Sequence, residues 1–192
     1  MDWENVKESC LRCTECPLCD TRTNVVFGQG NPKADVMFVG EGPGENEDIQ
    51  ALPFVGRSGK LLDSMLGEVG FFRESNIYIA NIVKCRPPLN RDPFPEEQEK
   101  CIRWLRSQFL LIRPKIVVAL GRIAASRIVD PCIKITRDHG KFVYKKGTWF
   151  MATLHPAAIL RNPGHKEAVK HDLELLKNKL IDIQESLSCI VF

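Results

Sequence analysis

The sequence predicts an α/β fold, a three-layer α/β/α sandwich with a central, mainly parallel four-stranded sheet. Three observations carry this expectation. Four short apolar runs rich in β-branched residues stand out, and near-continuous apolarity suits strands covered on both faces. Segments of helical periodicity separate the runs. That alternation aligns successive strands in parallel, with the connecting helices on both sides of the sheet.

Taken in chain order, residues 1–34 read as an irregular, cysteine-bearing lead-in packed on one domain that spans residues 1–192. The first strand is Val36-Met37-Phe38-Val39. A helix capped by Ser58 follows, with Leu61, Leu62, Met65, Leu66 and Val69 on one face and Gly70 at its end. The second apolar run covers 77–83. Pro95-Glu96-Glu97 then opens a helix carrying Cys101, Trp104, Leu105 and Gln108, closed before Pro114. The third run, 116–120, leads through Gly121 into a short Ala/Ile helix, the fourth covers 149–154, and a helical tail runs from about 167 to 187.

In such a sheet ligands bind beyond the carboxyl ends of the strands, and the unusual residues fall there. The first strand runs into Gly40-Glu41-Gly42-Pro43-Gly44. The second carries Asn81 and continues to Cys85-Arg86-Pro87-Pro88. The third ends at Gly121 and the fourth at His155-Pro156.

Composition narrows the function. At 44% hydrophobic and 27% charged residues, neither a disordered nor a fibrous chain is expected. No stretch approaches the length of a membrane span, and Met1-Asp2-Trp3-Glu4 lacks the basic and apolar regions of a signal peptide. A cytoplasmic protein with no membrane partner is expected. From 103 to 146, eleven Lys and Arg face only Asp130 and Asp138, against a net charge of +3 for the whole chain. An excess of that size suits a face that tracks phosphates.

Eight cysteines in an intracellular chain point to metal or catalysis before disulfides, because the cytosol keeps thiols reduced. Cys10, Cys13, Cys16 and Cys19 recur every third residue. They offer overlapping chelating pairs, either all four for one ion or cluster, or two joined by Cys85 and Cys101. Thiolate ligation suits zinc and iron-sulfur clusters alike. Cys132 and Cys189 read as inert thiols.

Cys13-Thr14-Glu15-Cys16-Pro17-Leu18, Arg22-Thr23 and Gly28-Gln29-Gly30-Asn31-Pro32 resemble the opening of family 4 uracil-DNA glycosylases. Val39-Gly40-Glu41-Gly42-Pro43-Gly44, with Glu47-Asp48 and Leu52-Pro53-Phe54-Val55-Gly56, is similar to that family's first motif. Leu154-His155-Pro156-Ala157-Ala158-Ile159-Leu160-Arg161-Asn162-Pro163 resembles its second. Asn81-Ile82-Val83-Lys84-Cys85-Arg86-Pro87-Pro88 and Asn90-Arg91 match between them. The resemblance implies removal of uracil flipped out of DNA during base excision repair. It also implies a structural [4Fe-4S] cluster held by Cys13, Cys16, Cys85 and Cys101; Cys10 and Cys19 depart from the usual pattern.

On these residues Phe54 is expected to stack on the extruded base, and Asn81 to read its edge, since an amide offers donor and acceptor together. His155 resembles the family's histidine that stabilises the departing anion at O2. The position that bears Asp or Asn in related glycosylases is Gly42 here. Glu41, with loop backbone atoms, is therefore assigned to position the water, and Glu47 or Asp48 to shape the pocket against thymine's methyl. Ser58 and Lys60 at a helix start are expected to meet phosphate. Leu160 resembles a wedge that fills the place of the base, with Arg161 beside it as phosphate contact.

Hypoxanthine or several deaminated bases as substrate, or a non-catalytic metal-stabilised nucleic-acid-binding module, are the alternatives. The tail from Gln184 to Phe192 faintly resembles a sliding-clamp-binding peptide without its paired aromatics. A monomer is expected.

Overall fold

The computed structural model describes residues 2–188. The four expected strands are present and parallel: β2 (Val36–Gly40), β3 (Ile77–Asn81), β4 (Ile116–Leu120) and β6 (Thr148–Thr153). Two short antiparallel strands extend the sheet at its edges, β1 (Gln29–Gly30) beside β3 and β5 (Phe142–Lys145) beside β6. The six-stranded order is β1-β3-β2-β4-β6-β5.

Alternation along the strands separates two cores. Met37, Val39, Tyr78, Ala80, Val117 and Ala119 face one side, against α1 (Trp3–Leu11), α4 (Pro95–Ile112) and α5 (Arg122–Ile128). Val36, Phe38, Ile77, Ile79, Ile116 and Val118 face the other, against α3 (Arg57–Glu68) and α8 (Lys166–Ser188). Every residue of the three central strands is buried, which is why their sequences read as unbroken apolar runs.

The lead-in is less irregular than its sequence suggests. Asp2 accepts the Asn5 N–H at 2.9 Å and caps α1, whose Val6 and Cys10 lie one turn apart on the buried side. The cap of α3 is Gly56, not Ser58, which lies inside the first turn. Gly70, with φ of +87°, follows Val69, the C-cap of α3, and ends the helix as expected.

The chain leaves β2 to form β3 on one side and returns to form β4 on the other. β2 is thus the switch point, and connections from its carboxyl end diverge and open a crevice there. The remaining helices are α2 (Glu45–Gln50), α6 (Ile135–Asp138) and α7 (Pro156–Arg161); α2 lies on the crevice's loop and α7 begins directly after the end of β6. No helix among the described residues is long and apolar enough to cross a membrane.

Candidate active site

The crevice is an open cleft of about 550 Å³ bordered by the carboxyl ends of β2, β3, β4 and β6. Register places Asn81 opposite Gly40. Asn81 is 1% exposed, and its buried Oδ1 has no hydrogen-bond partner. A methyl group on Gly40 would fall 2.4 Å from this oxygen and 2.6 Å from Phe54 Cζ. Only glycine lets the amide and the phenyl ring converge there.

Phe54 packs against His155 with ring centroids 5.6 Å apart and planes inclined by 34°. His155 caps α7: its Nδ1 accepts the Ala157 N–H at 3.1 Å. An accepting Nδ1 leaves the proton of the neutral ring on Nε2, as a donor. Burial, seconded by the positive charge of Arg161 and opposed by Glu47, lowers the His155 pKa to about 4, so the ring is neutral at physiological pH. The protonation state, open on sequence grounds, follows from these contacts.

Glu41 lines the same cleft. Burial first, then the charge of Asp92, raise its pKa to about 7, with Arg122 opposing. Arg122 in turn pairs with Asp92 at 2.5 Å. Gly42 also lines the cleft, and a Cβ there would lie 2.7 Å from Val83 Cγ2. A side chain at this position requires Val83 to move.

The adjacent acids of α2 part company. Glu47 lines the cleft and accepts the N–H groups of Val55 and Gly56, both at 2.8 Å. Asp48 does not line it. Its buried carboxylate accepts from the backbone of Thr23 and Asn24 at 2.9–3.0 Å, so it anchors the lead-in and cannot meet a base methyl. Ser58 and the exposed Arg161 border the cleft, whereas Lys60 is exposed beyond it with its N–H used by Gly56 O at 3.0 Å. Leu160 projects from α7 at 42% exposure while its neighbour Ile159 is buried.

The basic stretch forms no single face over the cleft. Arg122 borders it, while Arg103, Lys115 and Arg127 pair with Glu15, Asp35 and Glu99 from outside the stretch. Arg91, held by Glu97 at 2.7 and 2.9 Å, adds a cation the charge count did not single out.

A second recess, on the α1–α4 side, brings together Cys10, Cys13, Cys16, Cys19, Cys85 and Cys101. N–H donors converge on its sulfurs. The Lys84 N–H lies 3.2 Å from Cys101 Sγ, Arg22 Nη1 3.2 Å from Cys85 Sγ, and Arg103 Nη2 3.9 Å from Cys13 Sγ. Burial pushes the Cys10 and Cys101 thiols up to about 12, with Lys84 acting against it. Lys84, 1% exposed, donates from Nζ to Gln108 Oε1 at 2.7 Å; burial lowers its pKa to about 8, with the neighbouring Cys10, Cys101 and Cys85 opposing. Trp104 also lines the recess, and its buried Nε1–H lacks a partner. A sulfur-rich recess ringed by cations and donors fits a thiolate-bound, electron-rich group. Cys19 instead donates to Asp20 at 3.3 Å.

A doubly covered parallel sheet whose strand ends gather a glycine loop, a buried amide and a neutral histidine around one cleft is the architecture of an α/β enzyme with its site at the carboxyl edge. Residues 27–177 match the family model described as the uracil DNA glycosylase superfamily. The chain is 46% identical over 179 residues to a type-4 uracil-DNA glycosylase of Thermotoga maritima, covering 91% of this chain and 93% of that protein. It is 44% identical over 180 residues to one of Archaeoglobus fulgidus, covering 89% of each, and 42% identical over 186 residues to one of Sulfurisphaera tokodaii, covering 93% and 84%. The chain belongs to the type-4 uracil-DNA glycosylase family.

Proposed function

We propose that this protein hydrolyses the N-glycosidic bond of uracil flipped out of DNA and leaves an abasic site. The observation that carries the reading is the unpartnered Oδ1 of Asn81, buried near Phe54 in the cleft that His155 also lines. A buried acceptor without a partner is costly, and the N3–H of uracil supplies the missing donor while the amide N–H meets O4. Cytosine has no proton at N3 and would leave the oxygen orphaned.

Phe54 stacks on the base. As the bond from C1′ to N1 breaks, negative charge gathers on O2, where the His155 Nε2–H stabilises it. A water oxygen bonds to C1′ and yields its proton to the Glu41 carboxylate, with the backbone of Gly42 beside it. Glu47 shapes the pocket by fixing the 54–56 loop. Arg161, Ser58 and Lys60 meet phosphates, and Leu160 fills the place of the extruded base. DNA containing uracil is the partner, and the site of action is cytoplasmic.

Cys13, Cys16, Cys85 and Cys101 are assigned as ligands of a [4Fe-4S] cluster. The recess gathers all four thiols, with N–H donors converging on three of their sulfurs, a setting that supports a thiolate-bound cluster. The cluster would pin the lead-in to β3 and α4 and take no part in the hydrolysis.

The test is a duplex with one uracil, incubated with the protein and then treated with hot alkali. Scission at the uracil is expected, with duplexes carrying hypoxanthine or cytosine left intact. Absence of scission at uracil refutes the assignment.

A further inference from the structure

Phe54 has a backbone φ of +54°, a conformation that bulky side chains rarely adopt and that persists only where its surroundings enforce it. The enforcing contacts come largely from one residue nineteen positions away. Arg73 is 7% exposed. Its Nη2 donates to Phe54 O at 2.6 Å and its Nη1 to Pro53 O. Nε pairs with Asp63 of α3 at 2.7 Å, and Nη1 also reaches Gln29 Oε1 of β1 at 3.2 Å. A planar guanidinium presents these donors in a fixed fork, so two carbonyls, a helix and an edge strand are held in one geometry.

From the other side, α3 presses on the same carbonyl. A Cβ at Gly59 would lie 1.8 Å from Phe54 O. The Phe54 peptide is thus clamped between the start of α3 and Arg73, while Glu47 holds the next two N–H groups.

We infer that Arg73 is a positioning residue for base excision: its buried guanidinium fixes the left-handed Phe54 backbone and so aims the phenyl ring into the cleft. Arg73 lies outside the residues bordering the cleft and acts through Phe54. The inference rests on Phe54 being the base platform. It also gives Gln29, in the glycine-flanked Gly28-Gln29-Gly30 segment, a place in the site's second layer of contacts.

The test is a mutant cycle read by single-turnover excision of uracil, with melting temperature and duplex affinity measured in parallel. The variants are Arg73→Lys, Phe54→Ala and the double substitution. Lysine keeps the charge but has no planar fork. Arg73→Lys is expected to slow excision on the order of tenfold to a hundredfold when Phe54 is present, and by no more than about twofold in the Phe54→Ala background. A purely structural role would slow both backgrounds equally, and that result overturns the inference. If Phe54→Ala alone excises uracil at the wild-type rate, the platform reading fails instead. Should Arg73→Lys not fold, Asp63→Asn loosens the same guanidinium from α3. Its effect must likewise vanish in the Phe54→Ala background, and an equal effect in both backgrounds refutes the clamp.

Discussion

Replacing Asn81 by leucine separates stability from function. The side chains are close in size, and the substitution removes a buried oxygen that lacks a partner. Leaving such a group unsatisfied costs roughly 1–3 kcal/mol, so Asn81→Leu is expected to recover that amount. For a chain of this length each kcal/mol moves the melting temperature by roughly 2–4 °C. Calorimetry should therefore find a rise of roughly 2–12 °C. Excision should move the opposite way. With leucine in place, the N3–H and O4 of the flipped uracil are both desolvated without partners, at roughly 1–3 kcal/mol each, which lowers kcat/KM by about 30-fold to 10⁴-fold. The assay is single-turnover cleavage of a uracil duplex at several enzyme concentrations. A melting temperature that falls by several degrees would show that the amide serves the fold, and a kcat/KM within a few-fold of the parent would show that it does not read the base.

Three further outcomes are expected. His155→Ala should lower the single-turnover rate on the order of a hundredfold or more while affinity for a non-cleavable uracil duplex stays nearly unchanged, because the contact is made to charge that develops only in the transition state; equal losses of rate and affinity would contradict this. Because burial and then Asp92 raise Glu41 to about 7, the carboxylate that accepts the water proton forms only as pH rises through 7, and the excision rate should climb across that range. Asp92→Asn should move this limb to lower pH, and a limb that stays in place would remove Glu41 from proton transfer. The linked effect on stability has the opposite sense: the folded protein keeps a proton that the unfolded chain releases from about pH 4.5, so this group subtracts stability as pH rises from 4.5 to 7. Finally, Cys85→Ser and Cys101→Ser should lose iron and the brown colour of the protein, whereas Cys132→Ser, at an exposed thiol, should keep both; equal iron in all three variants would discard the ligand set. Cys189, also expected to be inert, lies outside the described residues.

The central strands were legible because burial on both faces leaves no polar interruption in 36–40, 77–81 or 116–120. β1 and β5 were not. The first has two residues, and the second is largely exposed, so neither carries an apolar run. α1 was hidden by the cysteine run that starts within it at Cys10, although the Asp2 cap and the Trp3, Val6, Cys10 stripe were its signal. In the cleft, Glu41, Asn81 and His155 stand out in sequence as polar residues at strand ends, and Phe54 as an aromatic residue shortly after the glycine loop. Asp48 sits next to Glu47, and only the turn of α2 decides which of the two faces the cleft. Arg73, Lys84 and Asp92 were missed because their partners are distant in sequence and a buried cation looks like any surface arginine or lysine. The basic stretch misled for the same reason: its partners Glu15, Asp35 and Glu99 lie elsewhere in the chain.

The six-residue helix α2 holds two parts of the protein by neighbouring side chains. Asp48 grips the Thr23 and Asn24 backbone, directly after the Arg22 that bonds Cys85 and Cys13, while Glu47 grips the loop that carries Phe54. α2 is in effect a yoke. A segment that shifts near Arg22 pulls on one arm, and the other arm is fastened to the backbone just after Phe54. The cysteine recess and the cleft have no lining residue in common, and this short helix is a mechanical link between them, fastened to backbone on both sides.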